Sequence, residues 1–226
     1  MKTIILKLGG SIFMPEHIDT DYLKRLKELL LEYTEKNYRF IIIVGGGVTA
    51  RKYQDALKDM GINDPETLDW MGISATNINA YLFRFMFDED QTDQNIITDP
   101  TQKIDSDKKI IIGAGYKPGW STDYDAMLIA KQFEDKMVVV LSNIEQIYDY
   151  DPKKNPNAKA LDNMSWDELY TIVGDTWTPG KNVPMDPMAV KEGRSQGVKV
   201  VFADGKNLEN FKNIIENKDY TGTTIE

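Results

Sequence analysis

The chain is expected to fold as a three-layer α/β/α sandwich around a mainly parallel central sheet. Three observations predict this. Short continuous apolar runs alternate with longer segments whose apolar residues recur at helical spacing. The runs lack the in–out alternation of a half-exposed sheet, as expected when helices cover both faces. Glycine-rich turns follow three of the runs, which is the order strand, loop, helix of layered α/β proteins.

Strands are predicted at Thr3–Leu8, Phe40–Val44, Ile110–Ile112, Met137–Leu141 and Val198–Phe202. Tyr22, Leu23, Leu26, Leu29, Leu30 and Tyr33 form one helical stripe, and Met71, Ala75, Ile78, Leu82 and Phe85 form another. Ser165 followed by Glu168 reads as a capping box opening a helix that buries Leu169, Ile172 and Val173. Asp186 before Pro187 reads as an N-cap with proline at the first helical position. Asn207 is expected to cap the last long helix, with Leu208, Phe211, Ile214 and Ile215 inward. The polar segments 88–107 and 148–163 read as loops with room for a hairpin. No linker or internal repeat appears, so residues 1–226 are expected to form one domain.

Composition narrows the function. With 226 residues and 41% apolar content, the chain suits a soluble globular domain. It has no cysteine, which excludes disulfides, thiolate metal sites and cysteine nucleophiles. No run approaches the roughly 20 apolar residues of a membrane span. The N-terminal apolar run is too short for a signal peptide. Both features favour a cytoplasmic protein without a membrane partner. A net charge of −9 disfavours nucleic acid. An anionic ligand would have to be held by local positive groups.

Such groups cluster at the glycine turns. The turns are Leu8-Gly9-Gly10-Ser11, Val44-Gly45-Gly46-Gly47 and the long loop from Gly113 to Ala126. Strand, glycine loop and helix aim bare N–H groups and a positive helix end at phosphate. No turn is a Walker A loop and none is a clean dinucleotide fingerprint. Lys7 precedes the first turn, and read alone it is better taken as a solvated lysine on an edge strand than as a phosphate ligand. Arg51 lies four residues past Gly47, where it is either a surface arginine or a bidentate phosphate grip. Asp123 closes the third loop, as a helix cap or as a carboxylate that orders Mg²⁺ and cationic side chains. His17, the single histidine, is expected on a surface loop.

These motifs resemble, in order and along nearly the whole chain, the amino acid kinase family and its archaeal-type uridylate kinase branch. The resemblance rests on Lys7-Leu-Gly-Gly-Ser11, on the run Val44 to Tyr53 with its Ala-Arg-Lys-Tyr, and on Asp69-Trp-Met-Gly72. It rests also on Pro118-Gly-Trp-Ser-Thr-Asp123, on Ser142-Asn143 with Ile147 to Pro156, on Met185 to Lys191, and on Gly222-Thr-Thr-Ile225. It implies transfer of the γ-phosphate of ATP to UMP with Mg²⁺ as cofactor, in a homohexamer. Residues up to about 136 would serve the acceptor and those from about 137 would serve ATP, on one shared sheet.

The resemblance also implies roles. Lys7 and Asp123 would be catalytic, with Asp123 meeting Mg²⁺ directly or through water. ATP would contact Gly9, Gly10, Ser11, Gly47, Arg51, Ser142, Asn143, Tyr148 and Asp151. UMP would contact Gly46, Asp69, Gly72, Gly115, Tyr116, Lys117, Pro118, Gly119, Trp120, Ser121 and Thr122, with Asp69 on the ribose hydroxyls. The nucleophile would be an ionised phosphate oxygen, so no general base is needed.

The chain departs from the family pattern in places. Gln146 replaces a glycine in the donor turn. Tyr116, Lys117 and Trp120 make the acceptor loop bulkier and more basic. Asp125 stands at a position that is more often apolar, and residues 174–184 match poorly. Another small-molecule kinase of this family, or a non-catalytic nucleotide-dependent storage protein, stays open as an alternative.

Overall fold

The computed structural model describes residues 1–151, 155–175 and 183–226. Trp177 and Lys181, part of the poorly matching segment, lie outside them. Five parallel strands form most of the sheet: β1 (Lys2–Leu8), β2 (Tyr38–Val44), β3 (Ile110–Gly113), β4 (Met137–Ser142) and β8 (Lys199–Asp204). With β9 (Thr223–Ile225) and β7 (Asn163–Met164) they give the order β3-β2-β1-β4-β8-β9-β7. Only β9 runs antiparallel to its neighbour β8. The five predicted strands are all present, each within two residues of its expected ends.

The continuous apolar runs have a direct cause. Side chains alternate across a strand, and here both faces are covered. Ile4, Leu6, Leu8, Phe40, Ile42, Val44, Ile110 and Ile112 enter one buried cluster with α2 (Thr20–Glu35), α4 (Pro65–Phe85) and α8 (Leu208–Glu216). Ile5, Ile41, Ile43 and Ile111 enter a second with α5 (Thr122–Ala130), α6 (Trp166–Val173) and α7 (Pro187–Gln196). The helices start where the sequence places them. Ser165 and Glu168 form the reciprocal capping box, Asp186 caps α7, and Asn207 caps α8.

Parallel pairing brings the loops to one edge. Leu8 pairs with Val44 and Leu141, Ile43 with Gly113, and Ser142 with Asp204. All the glycine turns therefore leave the sheet at the same carboxyl end, where ligands of open α/β sheets bind.

Two expectations need correction. The predicted inward stripe of α4 is only partly inward: Ala75 is buried and Met71 and Leu82 are half-buried, but Ile78 is 60% and Phe85 68% exposed, while Thr76, Asn79, Ala80 and Phe83, off the stripe, are buried. The face against the sheet approaches a glycine loop closely and takes small and polar residues, which the apolar pattern cannot flag. The segment 88–107 contains no hairpin among the described residues. It lies alongside β3 instead, through single parallel bridges Thr92–Ile110 and Ile97–Gly113. The hairpin occurs in the other polar segment, where β5 (Ile147–Tyr148) pairs with β6 (Ala160–Leu161).

Candidate active site

The first two glycine turns touch backbone to backbone. A Cβ on Gly10 would lie 2.2 Å from the nitrogen of Gly47. Gly47 has φ of +59°, and a Cβ there would meet the carbonyl carbon of Gly10 at 2.6 Å. Only glycine satisfies both the conformation and the approach. Gly9 heads the short α1 (Gly10–Phe13) and donates its N–H to the carbonyl of Leu141. Gly46 heads α3 (Gly47–Asp59). Ser11 follows Gly10 in α1 and is half-buried.

Lys7 is not on an edge strand. β1 lies between β2 and β4, and the Lys7 ammonium is 2.8 Å from Oδ1 of Asp123, with both side chains largely buried (15% and 14% exposed). A partly buried pair of this kind fixes the lysine's direction without removing it from the edge where a ligand enters. Asp123 sits in the first turn of α5, whose N-cap is Ser121. Ser121 accepts the N–H of Tyr124 at 3.2 Å. Thr122 is the first residue of that helix.

The loop between β3 and α5 is held at three points. The N–H of Gly115 donates to Oγ1 of Thr76 at 2.8 Å. The N–H of Gly119, at φ +82°, donates to the carboxylate of Asp69 at 2.8 Å. Trp120 packs edge-on against Tyr116 and Tyr124, with ring centroids 5.4 Å and 4.5 Å apart. The ammonium of Lys117 stands 4.1 Å above the Trp120 ring and 5.1 Å from Tyr116. Pro118 and Gly119 form the turn at the tip. Asp69 and Gly72 belong to α4, beside the second glycine turn: a Cβ on Gly46 would reach the carbonyl of Gly72 at 3.4 Å.

Other candidate residues are placed as follows. Arg51 is on an exposed face of α3 with no ion pair among the described residues. Ser142 ends β4 and Asn143 follows it, exposed. Tyr148 lies in β5. Asp151 is exposed and adjoins residues outside the described ones. Gln146, at the departure in the donor turn, donates to Asp162 at 2.8 Å and to the carbonyl of Gly222 at 3.1 Å. His17 is on an exposed loop, as expected.

Sequence reasoning missed two supports. Asn79, 1% exposed, donates to the carbonyls of Gly45 and Gly46 at 2.8 Å and 3.2 Å. Thr76 holds the third loop through Gly115. The available signal was a pair of polar residues three apart on a helix otherwise read by its apolar positions.

Asp125 is the electrostatic outlier. It is 1% exposed, and neither carboxylate oxygen has a hydrogen-bond partner of good geometry among the described residues. Burial pushes its carboxyl up to about 7, the N–H of Tyr116 lowers it in part, and the carboxylates of Asp123, Asp186 and Asp99 add to the rise. Burial also raises the carboxyl of Asp186.

A parallel sheet whose carboxyl edge carries contiguous glycine loops, a lysine–aspartate pair and a capped helix start defines a phosphate-handling α/β protein. Comparison with known proteins agrees. The chain belongs to the amino acid kinase family, whose model matches residues 2–204. It is 31% identical to a uridylate kinase of Thermoplasma volcanium over 100% of this chain and 98% of the relative. It is 33% identical to the uridylate kinase of Pyrococcus abyssi over 99% of each. The crystal structure of uridylate kinase from Archaeoglobus fulgidus superposes with a TM-score of 0.83, at 25% identity and full coverage of both chains.

Proposed function

We propose that the chain is a nucleoside monophosphate kinase that moves the γ-phosphate of ATP to UMP, giving UDP and ADP in pyrimidine nucleotide synthesis. The observation that carries the reading is the Lys7–Asp123 pair at the sheet edge, flanked by the two touching glycine turns and by the loop tied to Asp69. Full-length similarity to uridylate kinases supports the acceptor and makes the storage-protein alternative unnecessary.

The reaction needs alignment and charge neutralisation, not a base. The side-chain-free backbone at Gly9, Gly10 and Gly47 lets the donor phosphates approach closely, the Gly9 N–H itself being held by Leu141, with Ser11, Arg51, Ser142, Asn143, Tyr148 and Asp151 on the donor side. Lys7 meets the moving phosphoryl group, and Asp123 keeps its ammonium in place. Gly46, Gly72 and the loop 115–122 enclose the acceptor, with Asp69 on the ribose. The acceptor part is mainly residues up to about 136 and the ATP-binding part mainly the rest, with the glycine turns at Gly9–Ser11 and Gly47–Arg51 reaching the donor from the first part.

Mg²⁺ is proposed as the cofactor. No cluster of three or more metal-ligating side chains exists among the described residues. The site fits the way Mg²⁺ is held with nucleotides, mostly by phosphates and water with one or two carboxylates. Asp123 would be that carboxylate, and the ion would neutralise charge on the phosphates.

A homo-oligomer, with a hexamer as the expected size, is supported by the outward stripe of α4. Trp70, Ile78, Tyr81 and Phe85 are all at least half exposed, and such a patch marks an interaction surface. No helix among the described residues is long and apolar enough to cross a membrane, which accords with the proposed cytoplasmic site.

The test is a coupled assay of ADP formation with ATP and Mg²⁺ against UMP, CMP, isopentenyl phosphate and no acceptor. UMP-dependent turnover with UDP as product is expected. Folded protein that forms no UDP refutes the proposal.

A further inference from the structure

Asp186 caps α7, but it also does something a cap does not require. Its side chain is 6% exposed. Oδ1 accepts the N–H of Met188 at 2.9 Å, the ordinary capping bond. Oδ2 accepts the hydroxyl of Ser121 at 2.5 Å, from a residue 65 positions away. Ser121 is itself the cap of α5. One buried carboxylate therefore holds the first turns of two helices that pack in the same core layer. Burying a carboxylate is unfavourable unless its partners compensate, and either helix could be capped without the cross-link.

The cross-link leads to the reacting centre. Ser121 gives its proton to Asp186, so its oxygen faces the N–H of Tyr124. That bond fixes the first turn of α5. Asp123 lies in the same turn and holds the ammonium of Lys7 at 2.8 Å. The route Asp186, Ser121, Asp123, Lys7 consists of direct contacts and one helical turn. It joins the start of α7, on the donor side, to the lysine that meets the phosphoryl group.

We propose that Asp186 is a positioning residue for phosphoryl transfer, setting the direction of Lys7 through Ser121 and the first turn of α5. The inference rests on the kinase reading. Loss of the cross-link leaves the substrates' binding groups in place but lets the lysine drift, and small misplacement of a reacting group is costly in rate.

The test uses Ser121→Ala, Asp186→Ala, the double change and Ser121→Thr in the full chain. At saturating ATP and UMP, each alanine change is expected to lower kcat about 10- to 100-fold, and in Asp186→Ala, whose residue lies outside the acceptor loop, each KM is expected to move less than about threefold. The double variant is expected to be no slower than the slower single, because one linkage is lost either way. Ser121→Thr keeps the hydroxyl and should return kcat to within about threefold of the parent. Hydrogen exchange at the Tyr124 amide should quicken in Asp186→Ala. Should Asp186→Ala fail to fold, Ser121→Ala decides, since it leaves the Met188 bond intact. If Ser121 and Asp186 instead act separately, their losses in kcat will multiply in the double variant, which overturns the proposal. A kcat within about threefold of the parent for Ser121→Ala also overturns it. A parent that forms no UDP refutes the kinase reading, whereas unchanged Tyr124 exchange in Asp186→Ala refutes the linkage whatever the reaction.

Discussion

Asp125→Asn should stabilise the protein, and the gain should grow with pH. Asparagine copies the shape and neutrality of the protonated acid. In the unfolded chain an aspartate titrates at about 3.9. In the fold, burial and the neighbouring carboxylates raise Asp125 to about 7. The folded state thus binds more protons than the unfolded one between these values, so stability falls as pH rises through the window. A tenfold difference in proton affinity between the two states is worth about 1.4 kcal/mol, which makes the full penalty about 4 kcal/mol once the folded-state carboxyl has also ionised. At pH ~5 most of the unfolded-state charge is already present, so about 2–3 kcal/mol of the swing remains between there and pH ~8.5. For a domain of this size that is a widening of the melting-temperature gap by roughly 5–10 °C. Thermal melts of parent and variant across that range measure it. Parallel Tm curves, with no widening between pH ~5 and pH ~7.5, would refute the assignment of a protonated buried acid.

Lys7→Ala should lower kcat by about 10²–10³ and leave both KM values within a few fold, because one preorganised charged donor acts mainly in the transition state; steady-state kinetics on a variant with an unchanged melt decides. Asp69→Asn should weaken UMP binding, by roughly 1.5–3 kcal/mol for a charged hydrogen bond, and leave ATP binding alone; calorimetry with each nucleotide separates the two. Gly10→Ala would put a methyl 2.2 Å from the nitrogen of Gly47, so nucleotide binding should be lost or the protein should fail to fold, seen by calorimetry and circular dichroism. Ser165→Ala removes a capping box and should cost about 1 kcal/mol, read as a Tm drop of a few degrees with activity unchanged.

The sheet was legible because its physics is local. Ile41, Ile42 and Ile43 are buried on alternate faces, and a run without polar residues has no other place in a water-soluble fold. Caps were legible for the same reason: Ser165, Asp186 and Asn207 act within a few residues of themselves. The inward face of α4 was not. Its register depends on what it meets, and the carbonyls of Gly45 and Gly46 demand Asn79 where an apolar residue would pack better against a plain strand. Lys7 shows the same limit from the other side. Its neighbours in sequence suit an edge strand as well as an interior one. Only the strand order places it centrally, and only the return of α5 brings Asp123 to it. The Asp186–Ser121 bond spans 65 positions and leaves no trace in either local motif beyond a cap that each residue would make anyway.

The charge balance explains why the site is built from short-range parts. A chain of net charge −9 repels two anionic nucleotides at a distance. At physiological salt that field decays over about 8 Å, so surface carboxylates beyond this range hardly reach the sheet edge. Contacts within about 3–4 Å are weakly screened and dominate. Fixed dipoles serve this purpose better than a basic patch would. The first turns of α3, α5 and α7 are positive whatever the pH and need no counter-ion, and those of α5 and α7 are held by side-chain caps. Lys7 adds a full charge, and pairing it with Asp123 keeps it in place. In the proposed reaction the ammonium would exchange part of that pairing for the phosphoryl oxygens without first being desolvated. The direction of one lysine then matters more than the number of cations, and the buried contacts behind α5 become part of the chemistry.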